Sequence, residues 1–241
     1  MTLLECCEKY NKQVKADIKA GLVWIYSNHG CSATFAIAKK KGNLKANCAT
    51  LANWCLREMG ILNTKQYFYS KEGGTIACDE STMKALKKRC HVIELGRYSI
   101  TRAIKEGKLQ AGDIVCHYGQ HTNIYAGGDV WYDSGHYNCI RDGEDAPFRK
   151  QWKCHRNDGG ELSHIIRPKT RMFRVRVAKY PDAETARAES VHLFEMLGVA
   201  SFVEGTSLYA GSFTVEANAK QRQAQLVAHG CKKAKILEVW V

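Results

Sequence analysis

The sequence predicts an α+β protein built in two parts, and three stretches predict it. NCATLANWCLREMG (47–60) reads as an amphipathic helix, and GDIVCHYGQHTNIYAGGDVWYDSG (112–135) as strand, turn, strand, turn, strand. Beyond residue 170 the pattern turns regular and reads β-α-β-β-α-β. The boundary is placed near residue 170, with a first part over 1–168 and a second over 172–241. A chain of 241 residues can bury a core in each.

The opening MTLLECCEKYNKQVKADIKAG reads as a polar helix over 3–20 with Leu3, Leu4, Cys7, Val14 and Ile18 on one side. It lacks the basic start, unbroken apolar run and small-residue cleavage site of a signal peptide, so the expectation is synthesis in the cytoplasm. No stretch nears the roughly 18 consecutive apolar residues of a spanning helix. Further helices are expected at 48–59, 79–90 and 99–107, hairpins at 113–140, and loops with one final strand over 139–168. In the second part, FRVRVAKY (173–180) alternates as a strand, and the helix 181–198 has Pro181 at its start and Gly198 past its end. Strands around Ser201–Glu204 and at 208–213, a helix at 215–230 and a strand at 235–241 complete it.

Lys and Arg outnumber Asp and Glu by 36 to 24, a formal charge of +12. That excess favours a polyanionic partner: nucleic acid, an acidic lipid surface or an acidic cell wall. No helix-turn-helix, zinc-finger spacing or aromatic-basic RNA-binding pattern is present, so nucleic acid is not the expected partner. The eleven cysteines are odd in number and irregularly spaced, which argues against a disulfide scaffold and for small buried apolar residues.

One cysteine stands apart. Asn47 is a fitting N-cap and Gly60 a fitting stop, which puts Cys48 in the first helical turn. There the unpaired N–H groups and the helix dipole favour a thiolate. Leu51, Cys55, Leu56 and Met59 form the expected buried face, and Cys55, without help from the helix end, is expected in the core. A thiolate nucleophile needs an imidazole to protonate the departing amine and then activate water. His121 follows the turn Tyr118-Gly119-Gln120 at a strand rim, with His117, His136 and Asn123 as local rivals. A three-residue turn at 126–128 would pair Tyr125 with Asp129 and His121 with Asp133, where a carboxylate fixes the imidazole's tautomer. A two-residue turn would instead place Ser134 opposite His121. Cys116, His117, His121, Cys139, Cys154 and His155 cluster in sequence, but no CxxC pair exists and the spacing fits no usual zinc site. No metal or organic cofactor is expected.

These residues resemble a known family. Asn47-Cys48-Ala49 opening a helix, Gly112-Asp113-Ile114-Val115, and His121-Thr122-Asn123-Ile124-Tyr125-Ala126-Gly127 are similar to the NlpC-type cell-wall cysteine peptidases and the related CHAP amidohydrolases. The likeness covers 44–60 and 107–137 and leaves 61–106 as an insertion. It implies a papain-like α+β fold, Cys48 as nucleophile, His121 as base, Asp133 as its orienter where many members carry His or Asn, and the Cys48 N–H as an oxyanion donor. Tyr26 stands where some members place an aromatic residue near the thiol, and Asn123 is a further candidate at the substrate site. The second part, through Phe173–Val177 and Tyr209-Ala210-Gly211-Ser212-Phe213, resembles a SPOR domain, which binds glycan strands; Ala178-Lys179-Tyr180 departs from its usual Gly-x-Phe. The resemblances imply a peptidoglycan hydrolase, an endopeptidase or N-acetylmuramoyl-L-alanine amidase; beside the absent export signal, that fits a phage or prophage endolysin acting on the bacterial wall after release. The alternatives are a cysteine acyltransferase or amidase on a non-wall substrate, and a non-catalytic wall-binding protein.

Overall fold

The computed structural model describes residues 1–128, 130–134, 149–151 and 161–241. The chain is of mixed α+β class and divides into two compact units, Met1–Pro168 and Lys169–Val241.

In the first unit α1 (Leu3–Lys19) begins with a reciprocal cap between Thr2 and Glu5. It buries Leu3, Cys6, Cys7, Tyr10, Val14 and Asp17, whereas Leu4 and Ile18, expected on that face, are half-buried. Asp17 goes inside because it accepts from the Trp24 indole at 3.0 Å and pairs with Lys39. A short strand β1 (Ile25–Tyr26) and the helix α2 (Phe35–Lys41), capped by Thr34, follow. Then β2 (Lys45–Ala46) pairs with β1 in parallel and delivers the chain to α3 (Cys48–Glu58). Tyr10, Trp24, Phe35 and Trp54 stack against one another under these helices, with ring centroids 4.5 to 6.4 Å apart. Residues 48–56 of α3 are all buried, Trp54 included, while Met59 is only half-buried, so the helix runs through the interior rather than over it.

The hairpin β3 (Phe68–Lys71) and β4 (Thr75–Cys78) precedes α4 (Glu80–Arg89), β5 (Cys90–Ser99) and α5 (Ile100–Lys105). The main sheet is antiparallel, in the order β5-β10-β6-β7-β8-β9, with β6 (Asp113–His117), β7 (Thr122–Gly127), β8 (Val130–Asp133), β9 (Arg149–Gln151) and β10 (Glu161–Pro168). Helix α3 packs on β7. Leu109, Val115, Tyr125, Trp131, Leu162 and Ile165 form a second apolar cluster on the sheet, closed by Ala103 of α5. Asp113 is buried beneath a two-pronged bond from Arg167, at 2.7 and 2.8 Å.

The second unit is a β-α-β-β-α-β module: β11 (Arg171–Lys179), α6 (Ala183–Leu197), β12 (Phe202–Glu204), β13 (Ser207–Phe213), α7 (Glu216–Ala228) and β14 (Lys235–Trp240). Its strands lie in the order β12-β13-β11-β14, all antiparallel. Phe173, Val175 and Val177 meet Leu193 of α6 and Ala219 and Leu226 of α7, so both helices cover one face of the sheet. The other face carries Arg174, whose guanidinium lies 5.7 Å from the ring centres of both Phe202 and Tyr209. Gly198 ends α6 in the left-handed conformation at φ 63°.

Candidate active site

Cys48 is the first residue of α3, and the local sequence puts it there. The Asn47 side chain accepts from the Thr50 backbone N–H at 2.8 Å, the N-cap bond, while its amide donates to Ser27 O at 3.2 Å. Position alone leaves the N–H groups of Cys48 and the next residue without acceptors inside the helix. The sulfur is nearly buried, with Cys48 9% exposed, and lies 3.9 Å from the carbonyl oxygen of Gln120, an acceptor only the protonated thiol can use.

His121 arrives from the β6–β7 hairpin. Pairing of Asp113 with Tyr125 through Cys116 with Thr122 leaves Tyr118-Gly119-Gln120 as the turn, closed by His117 N–H donating to His121 O at 2.9 Å. Gln120 has φ 63°, the left-handed region that glycine usually fills, at a cost of about 1–2 kcal/mol. Such strain persists only where the surroundings over-determine it. The imidazole of His121, 8% exposed, reaches Asp133 Oδ1 from Nε2 at 2.8 Å as an ion pair. With Nε2 so engaged, Nδ1 is the nitrogen left for the thiol.

The pairing of Asp133 corrects the expected register. Tyr125 pairs with Trp131 and Ile124 with Tyr132, which puts Asn123, not His121, across from Asp133. A register shift between Tyr125 and Gly127 produces the difference, with Gly127 at φ 94° paired to Val130. The slip from the expected pairing is two residues, an even number, so Asp133 stays on the face that His121 uses and reaches it as a diagonal neighbour. Ser134, the alternative partner, is buried.

The electrostatics follow. Burial alone would raise the Cys48 thiol, but the hydrogen bond and positive charge of His121 outweigh it, helped by the Thr122 backbone N–H, and the thiol is lowered. For His121 burial opposes the cation, and the Asp133 charge together with the Cys48 sulfur overcomes it, so the imidazole is held well above its ordinary range. The two shifts are mutual and both favour the charged forms, the thiolate and the imidazolium. Cys116, fully enclosed nearby, goes the other way: burial pushes its thiol up to about 12. Cys55 is likewise raised, by burial and by Cys6 and Cys7, whose sulfurs crowd it; Cys7 lies 3.7 Å away.

Tyr26 and Tyr67 flank the thiol. Burial and the Cys48 sulfur both raise the Tyr26 phenol, keeping it a neutral hydrogen-bond donor to the thiol. Tyr67, which the sequence reading did not single out, bonds Asn47 Oδ1 at 3.4 Å and is raised by burial. Only the tertiary fold brings residue 67 to residue 47. Asn123 is not open to a substrate through its carbonyl: that oxygen is 3.1 Å from His117 Nε2. His117 therefore braces the neighbourhood of His121, ring centres 5.5 Å apart, rather than competing for the thiol. His136, Asp129, Cys139, Cys154 and His155 lie outside the described residues. Among the described residues no three His, Cys, Asp or Glu side chains converge as metal ligands.

A scan of protein-family models, a search of curated proteins and a search of solved structures each find no match to this chain.

Proposed function

We propose that this protein is a cysteine peptidase or amidase that hydrolyses an amide bond of bacterial peptidoglycan, within the stem peptide or at the muramoyl-L-alanine link. The observation that carries the reading is the line Cys48–His121–Asp133, with the thiol lowered and the imidazole raised at the N-terminus of α3. In this reading the Cys48 thiolate attacks the scissile carbonyl carbon, and the electron pair moves to the carbonyl oxygen. That oxyanion is received by the backbone N–H of Cys48, with the Tyr26 phenol as a side-chain donor beside it. The imidazolium gives its Nδ1 proton to the departing amine, the C–N bond breaks, and a thioester remains on Cys48. Neutral His121 then takes a proton from water, whose oxygen displaces the thiolate and regenerates the pair. Asp133 keeps the ring oriented through both steps. No metal or organic cofactor enters.

The choice of wall as substrate rests on the resemblance to NlpC-type and SPOR sequences, and three properties support it. The chain is basic by +12, which suits an acidic polymer. Helix α3 packed on an antiparallel sheet is the arrangement a papain-like fold requires. The sheet face of the second unit opposite its helices carries stacked Phe202 and Tyr209 rings, 5.2 Å apart, with Arg174 over both, aromatic and basic groups of the kind that bind sugar rings, Phe202 being the exposed one. No helix among the described residues is long and apolar enough to cross a membrane.

The test is digestion of purified sacculi followed by mass spectrometry of the fragments. Wild type releases new amino termini, and Cys48→Ala loses about 10³-fold or more in rate. Equal clearing by both proteins sinks the enzyme reading, and intact sacculi with the wild type redirect it to a non-wall amide.

A further inference from the structure

The thiol and the imidazole stand on separate elements, α3 and the β6–β7 turn, and one hairpin holds both. On the α3 side, the buried Asn53 amide donates to Phe68 O at 2.7 Å and accepts from Phe68 N–H at 3.1 Å, fastening β3 to the helix one and a half turns below Cys48. On the turn side, the buried Ser70 hydroxyl donates to His117 O at 2.6 Å. Gly74, at the tip of the same hairpin, lies against the ring of Tyr118, the first residue of the turn that ends at His121. A Cβ at Gly74 would stand 2.7 to 2.9 Å from three Tyr118 ring carbons, and its φ is +79°. Arg97 lies over the same ring, 5.0 Å from its centre, and is paired with Glu161, whose carbonyl accepts from the Tyr118 N–H at 3.1 Å.

We propose that the β3–β4 hairpin is a strut that sets the spacing between Cys48 and His121, with Asn53, Ser70, Gly74 and Tyr118 as positioning residues. It rests on the reading of Cys48 and His121 as a reactive pair. The hairpin belongs to 61–106, the stretch that the family likeness leaves as an insertion. The glycine at 74 is what lets backbone meet ring: a Cβ there would force the outer ring carbons of Tyr118 to shift and would be strained at φ +79°. The strained Gln120 conformation next to His121 needs such an outside hold, because an isolated turn would relax it. A displacement of about 1 Å is enough to weaken a thiolate–imidazolium contact.

The test reads the pair directly and does not depend on a wall substrate. Iodoacetamide alkylation of Cys48, followed by peptide mass mapping to separate it from the other thiols, is measured against pH for wild type, Tyr118→Ala, Gly74→Ala and Tyr118→Phe, with thermal melts alongside. In the wild type alkylation persists well below the ordinary thiol range. In Tyr118→Ala and Gly74→Ala the rate near pH 6 falls about ten-fold, as Cys48 returns toward an ordinary thiol. Tyr118→Phe keeps the ring and keeps the profile. A cooperatively melting Tyr118→Ala or Gly74→Ala with the wild-type profile overturns the strut while leaving the reactive pair intact. Should Tyr118→Ala not fold, Gly74→Ala presses on the same contact from the hairpin side and decides. An ordinary thiol profile in the wild type overturns the pair and the strut together.

Discussion

The two units handle polar side chains in opposite ways. The first buries Asn47, Asn53, Asp113, His117, His121 and Asp133 among others, whereas Ser207 is the one buried polar residue described in the second. A buried polar or ionised group is costly unless partnered. Among the described residues of the first unit each buried carboxylate has its cation: Asp17 has Lys39, Asp113 has Arg167, and Asp133 has His121. The first two pairs add only further hydrogen-bond donors, Trp24 and Gln13 on Asp17 and the Gln110 N–H on Asp113. The third continues to a sulfur, and the proposed mechanism rests on that continuation rather than on burial. The second unit keeps an apolar core and carries Arg174, Phe202 and Tyr209 on the sheet face opposite its two helices.

Asp133→Asn tests the contrast most severely. Turnover is expected to fall about 10²- to 10³-fold, and the pH profile to change with it. In the proposed mechanism the pair works between the lowered thiol and the raised imidazole, failing on the acid side as Cys48 is protonated and on the alkaline side as His121 loses its proton. Removing the Asp133 charge leaves burial to dominate His121, so the alkaline limb moves to lower pH. The sign for stability is the same: His121 is raised in the folded state, so its contribution is complete below the unfolded imidazole value and fades as pH rises through the folded one. An alkaline limb that stays in place would make Asp133 a structural partner like Asp113.

Leu226→Ala probes the other side of the comparison. Leu226 is fully enclosed between α7 and the sheet, and its truncation is expected to cost about 2–5 kcal/mol in denaturant unfolding of the second unit. Binding to sacculi in a pelleting assay is expected to weaken, with Cys48 alkylation unchanged. A loss of thiol reactivity in this variant breaks the division of labour drawn here.

Gln120→Gly gives the smallest effect. Release from the left-handed conformation gains about 1–2 kcal/mol, and the extra freedom of glycine in the unfolded chain removes about 0.5–1. A net gain of about 0.5–1 kcal/mol in denaturant unfolding is expected. A lower stability would show that the Gln120 side chain makes a compensating contact.

Local signals carried much of this architecture. The N-cap Asn47 placed Cys48 on the first turn of α3, and the turn Tyr118-Gly119-Gln120 placed His121 at the rim, because capping and turn chemistry act over a few residues. The second unit was legible almost element by element, since Pro181, Gly198 and Gly230 punctuate a period that alternates cleanly. The β3–β4 hairpin, β5 and α2 were not anticipated. The burial pattern of β5 does not alternate, and α2 is seven residues whose place depends on the aromatic cluster it joins. The register of β8 was misjudged because a bulge beside Gly127 has no sequence mark that separates it from a longer turn.

The sequence by itself determined which residues could react: a cysteine after a helix cap, a histidine after a turn, and a carboxylate an even number of residues along the next strand. Helix ends, turns and strand alternation are local, and a short window of chain encodes them. Only the tertiary structure decided that these groups meet, that Tyr26 and Tyr67 close over the thiol, and that one hairpin grips both the helix and the turn. Those contacts join residues from 12 to more than 70 positions apart. Distances of that kind are set by the packing of whole elements, and no local pattern records them.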